Sequence, residues 1–316
     1  MPGPYRCEPI PDRALSPNSD QPGHSQMDTE NTTGGNSAAL CPTSSTGGPI
    51  GENGRFVSAV SGASSGLGAI FARRFAEMGH DLFLVARRGD LLAQQAETLS
   101  SKYGVRVETM RADVSRLDQL EQVEKRIERL DNLEYMVNSA GFGGNREFPN
   151  VDIEIETRMI QVHCIATMRL CRAALIPMVK RNAGKIINIS SASGYLAGWG
   201  AADYTGTKAY LLTFSRSLQA DLRKTKIRVQ ALAPGFIRTE FHDSETMKNS
   251  GVKDRVWKIL WIPAEKVVSI SLKNINRKIF RGVVCIPTYF YKLVIWAGSE
   301  WWLAPLRILF SGGRVR

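Results

Sequence analysis

Tyr204-Thr-Gly-Thr-Lys208 sets a phenol and an ammonium at i and i+4, side by side on one face of a helix. A free tyrosine titrates near ~10, which makes it a poor base at neutral pH. A neighbouring ammonium favours the phenolate, so the pair can exchange a proton with a substrate oxygen. The spacing alone is short enough to arise on any exposed helix. Ser191 adds to it. This serine closes a predicted strand thirteen residues before Tyr204, across the glycine-rich loop Ser193-Gly-Tyr-Leu-Ala-Gly-Trp-Gly200. Open parallel sheets bind ligands at the carboxyl ends of their strands. From there Ser191 can donate to a reacting oxygen and polarise a carbonyl. A serine that only caps the loop is the competing reading.

A second constellation lies upstream, in Val60-Ser-Gly-Ala-Ser-Ser-Gly-Leu-Gly68. Glycines at 62, 66 and 68, between a predicted strand and a predicted helix, suit a tight turn, a close approach to pyrophosphate and close helix packing. Ser64, Ser65 and Leu67 complete the turn. The helix start offers unpaired N–H groups and positive dipole to phosphates. No Gly-Lys-Ser/Thr follows, so a P-loop is excluded. The second strand ends in Ala86-Arg87-Arg88. A carboxylate there would accept from the ribose 2′-hydroxyl of NAD, whereas arginine accommodates a 2′-phosphate. Two guanidiniums and no acid favour NADP(H) over NAD(H), with solvated arginines as the plain alternative. Asp113, with Val114 beside it, is placed to meet the adenine, or else to cap a helix near Ser115. An oxidised nicotinamide would add a second positive charge near Tyr204.

Short apolar runs at 56–60, 82–86, 105–110, 135–137, 185–190 and 227–232 read as buried strands. They alternate with helical stretches at 67–78, 91–102, 117–130, 154–180 and 203–224. Alternation of this kind predicts βαβ units and an α/β fold with a doubly wound, Rossmann-type parallel sheet. Residues 264–273 read as helix and 282–286 as strand. Residues 1–54, rich in Ser, Gly, Pro, Asn and Thr, bury too little to offset ordering entropy and read as a disordered tail. The catalytic domain is expected over 55–287, with an apolar and basic extension over 288–316.

Gly62-x-x-x-Gly66-x-Gly68, Asn138-Ser-Ala-Gly141, Ser191, Tyr204-x-x-x-Lys208 and Pro234-Gly-Phe-Ile-Arg-Thr239 occur in one order and spacing. Over about 55–241 the chain resembles the short-chain dehydrogenase/reductase family. The resemblance implies Tyr204 as acid/base, and Lys208 holding the nicotinamide ribose while lowering the tyrosine pKa. It places Asn138, Ala140 and Gly141 beside the cofactor, with Pro234, Gly235, Ile237 and Thr239 at the nicotinamide end. It also implies a small-molecule carbonyl or alcohol as substrate, and a homodimer or homotetramer. Three departures stand out. Ser139 replaces the family's second asparagine, Ser61 replaces a threonine and keeps the hydroxyl, and His163 occupies the slot of a relay asparagine. His163 either holds the relay water or is a satisfied core histidine. Phe142, Tyr195, Trp199 and Phe241 follow strand ends and suggest an apolar substrate.

The net charge of +11 is uneven. Residues 251–316 carry twelve Lys/Arg against Asp254, Glu265 and Glu300, a net of +9. With Tyr289, Tyr291, Trp296, Trp301 and Trp302 this suits either weak contact with an anionic membrane surface or packing over the pocket or a second subunit. Nucleic acid is not expected, because no RNA-recognition or zinc pattern accompanies the charge. The five cysteines are scattered without C-x-x-C, so neither disulfides nor a metal site are expected. No secretory signal is read at the start, and a cytoplasmic location, alternatively peripheral at a membrane, is expected. A catalytically silent dinucleotide-binding module acting through protein or membrane contacts would predict loss of Ser191, Tyr204 or Lys208, and all three are present.

Overall fold

The run Asp81–Ala86 shows why these segments form a central sheet: Leu82 and Leu84 join one apolar cluster while Phe83 and Val85 join the other. A strand buried on both faces reads as a continuous apolar stretch, as parallel sheets require. The computed structural model describes residues 43–45, 50–51, 54–144, 147–196, 201–239, 261–278, 280 and 282–299. Its sheet contains β1 (Thr43–Ser45), β2 (Val57–Ser61), β3 (Asp81–Ala86), β4 (Val107–Arg111), β5 (Leu133–Asn138), β6 (Gly184–Ile189), β7 (Ile227–Leu232) and β8 (Val284–Cys285), in the order β1-β4-β3-β2-β5-β6-β7-β8. β2 to β8 pair parallel, and β1 pairs antiparallel with β4.

The helices are α1 (Gly66–Glu77), α2 (Gly89–Tyr103), α3 (Leu117–Ile127), α4 (Ile153–Ile160), α5 (Thr167–Arg181), α6 (Ala202–Asp221), α7 (Ala264–Ile275) and α8 (Tyr289–Ser299). Phe71 and Phe75 of α1, Val267 of α7 and Ile295 of α8 cover one face of the sheet. Leu120 and Val123 of α3 and Leu170 and Met178 of α5 cover the other. The doubly wound order reverses between β2 and β5, so their carboxyl ends flank the crevice where such sheets bind ligands.

Three readings from sequence change. Thr43–Ser45 is an edge strand and Ile50 is buried, so the fold takes up pieces of the stretch read as tail; the rest of 1–54 lies outside the described residues. The single helix expected over 154–180 is interrupted by a π-helical turn at Gln161–Ala166, which holds His163. The strand expected over 282–286 shrinks to Val284–Cys285. By length and composition Ile153–Arg181 could cross a membrane, but 61% of that window is buried within the fold.

Candidate active site

Helix α6 begins at Ala202, so Tyr204 lies in its first turn and Lys208 one turn further, as the spacing predicts. The Lys208 ammonium is 5.5 Å from the centre of the Tyr204 ring and donates to the Ile189 carbonyl at 3.0 Å, at the end of β6. Ser191 follows β6, and its side chain hydrogen-bonds the Tyr204 phenol. Its Oγ also accepts from the Ser193 N–H at 3.2 Å, the contact that the loop-capping reading expects. Ser190 donates to the Lys208 carbonyl at 2.7 Å, and a Cβ on Gly194 would lie 2.8 Å from the Lys208 carbonyl carbon. The serine loop is therefore pressed directly onto the helix that carries Tyr204 and Lys208.

Burial pushes the Tyr204 phenol up to about 12, with the Ser191 hydroxyl opposing it. Burial also brings Lys208 down to about 8, with Cys164 opposing. Burial therefore keeps Tyr204 protonated at neutral pH, because desolvation disfavours the phenolate. A protonated phenol is the form that donates to a carbonyl oxygen.

His163 is 1% exposed and both ring nitrogens have protein partners. Nε2 accepts from the Phe142 N–H at 3.2 Å, and Nδ1 meets Thr207 Oγ1 at 2.9 Å. The Thr207 hydroxyl spends its proton on the Tyr204 carbonyl at 2.9 Å, so Nδ1–H must donate to Thr207. This tautomer is neutral, in keeping with burial and Lys208 holding the imidazole well below its usual range. Neither nitrogen is left over for a relay water. The arrangement favours the satisfied-histidine reading, with His163 bracing the first turn of α6. The widened π turn, a form frequent at functional sites, carries His163 at this point.

The cradle at the crevice is built by glycines. Gly62 has φ +69°, and a Cβ there would lie 2.6 Å from the Ala140 N, so the turn presses on the Asn138–Gly141 loop. A Cβ on Gly68 would lie 2.3 Å from the Gly62 carbonyl oxygen, which is why α1 can start so close to the turn. The Ser61 hydroxyl accepts from the Ser139 and Ala140 amides at 3.2 and 3.4 Å, so the serine that replaces threonine stitches β2 to the β5 loop. Ser65 opens α1 without capping it; its hydroxyl instead takes the Arg88 guanidinium at 2.5 Å, and Ser64 takes it at 3.2 Å. Thr239 stands 3.8 Å from where a Cβ on Gly66 would be. Leu67, Val114 and Ile237 are buried at the rim. Gly141 lies against the imidazole, where a Cβ would be 2.7 Å from Nε2.

Asp113 makes the local contacts of the capping reading: one oxygen accepts from the Ser115 N–H and hydroxyl at 3.0 and 2.7 Å, while the other lies 3.9 Å from Arg87. Asn138 lies deeper than expected. It is 4% exposed and its amide donates to Asn188 at 2.8 Å inside the sheet. Arg111, paired in register with Ala86 and with its Cδ 3.1 Å from where a Cβ on Gly89 would be, is a third arginine at this strand end that the motif reading missed.

A small cavity of about 10 Å³ beside Tyr204 is lined by Gly144, Phe148, Val151, Glu156 and 201–203. Of the residues expected to line it, Phe142 instead packs on His163, and the Tyr195 hydroxyl accepts from Arg216 at 3.0 Å. Trp199 and Phe241 lie outside the described residues. Glu156 was missed: burial and the neighbouring Asp203 carboxyl raise it above the usual carboxylate range. Its position in the amphipathic stretch of α4 carries no motif, so only the fold reveals it.

A family model described as short chain dehydrogenase matches residues 57–250. A 3-oxoacyl-[acyl-carrier-protein] reductase of Chlamydia trachomatis is 32% identical over 197 residues, which are 61% of this chain and 79% of that protein. A short-chain dehydrogenase from Sphingobium yanoikuyae, solved in complex with NADPH, superposes with a TM-score of 0.69 at 31% identity, covering 82% of this chain and 97% of that one. A Burkholderia phymatum member solved with NAD shares the fold at 21% identity, with a TM-score of 0.68 over 77% of this chain and 92% of its own. The chain belongs to the short-chain dehydrogenase family of oxidoreductases.

Proposed function

We propose that this chain transfers hydride between NADP(H) and a carbonyl or alcohol carbon of an apolar small molecule, with Tyr204 as the acid/base. The observation that carries the reading is the Ser191–Tyr204–Lys208 cluster at the crevice end of β6 and α6, with the phenol held protonated. Bound there, the nicotinamide would supply or accept the hydride. Tyr204 gives its proton to the substrate oxygen as the carbon is reduced, and takes it back in the reverse direction. Ser191 holds the same oxygen by hydrogen bond, and Lys208 stabilises the phenolate left behind. The relatives named as a 3-oxoacyl reductase and an NADPH-bound dehydrogenase support carbonyl reduction. The test is NADPH oxidation against a panel of aldehydes and ketones. NADPH binding without turnover of any of them would favour the silent binding module.

Preference for NADP(H) is supported by Arg88, which donates to Ser64 and Ser65 of the glycine turn, with Arg87 next to it in sequence and Arg111 level with Ala86 on the neighbouring strand. Neutral replacement of Arg87 and Arg88 should cost NADPH ~1.5–3 kcal/mol of binding per lost charge-assisted hydrogen bond and spare NADH. Titration of both nucleotides checks this, and equal losses would mean the arginines do not read the 2′-phosphate.

A homodimer or homotetramer is supported by Ile153, Ile160, Ile165, Met168 and Val179, all exposed along α4, the π turn and α5. Contact with anionic lipid is supported by Tyr289, Phe290, Leu293 and Lys292 exposed on α8; Trp301 and Trp302 lie outside the described residues. Light scattering should give a mass of two or four chains. Flotation on anionic vesicles should be lost at high salt and on deleting 287–316. A monomer at all concentrations, or no flotation at low salt, sinks the respective part.

A further inference from the structure

We infer that Tyr291, on α8, is a positioning residue for the loop that forms the nicotinamide end of the crevice. Its ring is packed on Gly235: a Cβ there would lie 1.9 Å from Cζ and 2.2 Å from both Cε atoms. Its hydroxyl accepts from the Phe236 N–H at 3.0 Å. One side chain therefore meets two successive residues of the Pro234–Thr239 loop, once by ring packing and once by hydrogen bond. The same loop carries Ile237 and Thr239, and Thr239 stands over the glycine turn at Gly66.

The contact reaches the reacting centre by a short path. The Pro234 carbonyl accepts from the Ala192 N–H at 2.8 Å, and Ala192 is the residue after Ser191. Ser190, the residue before, donates its N–H to Leu232 at 2.8 Å. A shift of the Pro234–Gly235 backbone would therefore move both the cofactor loop and the serine that meets Tyr204. Helix α8 turns Tyr291 inward, 7% exposed, while its neighbours Tyr289 and Phe290 are 87% and 50% exposed. Burial pushes the Tyr291 phenol up, so the hydroxyl is neutral and accepts as drawn at physiological pH. The extension after β8 is thus wired to the site rather than appended to it.

This inference rests on the hydride-transfer reading, so the test measures cofactor binding directly, apart from turnover. The full-length chain is titrated with NADPH by nucleotide fluorescence, with melting temperature followed in parallel, for Tyr291→Phe, Tyr291→Ala, Gly235→Ala, the Gly235→Ala/Tyr291→Ala pair and Tyr289→Ala. Tyr291→Phe keeps the ring and removes the hydroxyl that accepts from the Phe236 N–H, and should weaken NADPH roughly three- to tenfold. Tyr291→Ala should weaken it further. Gly235→Ala alone should weaken binding by clash, and adding Tyr291→Ala should restore part of the loss because the opposing ring is gone. Tyr289→Ala should match wild type. Turnover of an active ketone, where one is found, should fall in the same order. Wild-type affinity in both Tyr291 variants, with only the melting temperature lowered, would overturn the inference, and so would a double variant weaker than either single one. If Tyr291→Ala does not fold, Tyr291→Phe decides by itself. Should wild type bind NADPH but turn over no ketone while the variants still rank as stated, the hydride reading fails and the positioning role of Tyr291 stands.

Discussion

Tyr204→Phe should lower kcat by ~10²–10⁴-fold, the usual loss when a general acid/base is removed. NADPH affinity should be nearly unchanged, because the phenylalanine keeps the ring at the start of α6 and the contacts of the cradle lie elsewhere. The lost atom is the hydroxyl that Ser191 holds and that the buried site keeps protonated. Since burial raises the phenol to about 12, the carbonyl-reducing direction finds its proton in place across the neutral range. The oxidising direction needs the phenolate and should gain rate as pH rises. Single-turnover kinetics with NADPH and with NADP⁺ across pH would read both directions. A variant retaining more than about a tenth of wild-type rate would remove Tyr204 from the acid/base role.

Much of this site was legible because its residues are constrained by geometry that leaves marks in sequence. Gly62 and Gly68 are glycine because backbone atoms fill the place of a Cβ, and a chain that must do this shows a spaced glycine pattern. Strands buried on both faces show as short, mostly apolar runs, and these mark the order of elements from Val57 to Leu232. What stayed hidden depends on partners distant in sequence. The π turn at Gln161–Ala166 leaves the apolar period of α4 and α5 almost intact, so 154–180 reads as one helix. Glu156 and Asp203 meet only once α4 packs on α6. Thr43–Ser45 reads as tail because three residues bury too little to signal a strand, and only pairing with β4 gives them one. Gly235 shows the same limit from the other side. The motif predicts a glycine, but the ring that requires it comes from a helix beyond the reach of the motif.

Replacing His163 separates bracing from relay, and leucine is the severe case. Leucine cannot accept from the Phe142 N–H or donate to Thr207, so two buried polar groups lose a partner at once. At ~1–3 kcal/mol for each such group, and ~2–4 °C per kcal/mol in a domain of this size, the melting temperature should fall by roughly 4–24 °C. The rate per folded molecule should fall as well, because Thr207 ties the imidazole to the Tyr204 carbonyl and hence to the first turn of α6. His163→Asn keeps one donor and one acceptor on a shorter arm and should retain most of the rate with a smaller thermal loss. Acid adds an independent readout. The folded imidazole is held well below its usual range, so the unfolded chain binds the proton first as pH falls through about 6.5. Wild type therefore loses stability below that pH. His80 is lowered by burial too and contributes in the same direction, so the informative quantity is the difference between wild type and His163→Asn. That difference should narrow as the pH drops from 7.5 to 5.5. If both variants lose stability alike and keep the wild-type rate per folded molecule, His163 is a packing residue and its link to Tyr204 has no bearing on catalysis. If instead His163→Asn loses the rate without losing stability, a proton path through the imidazole would have to replace the bracing role.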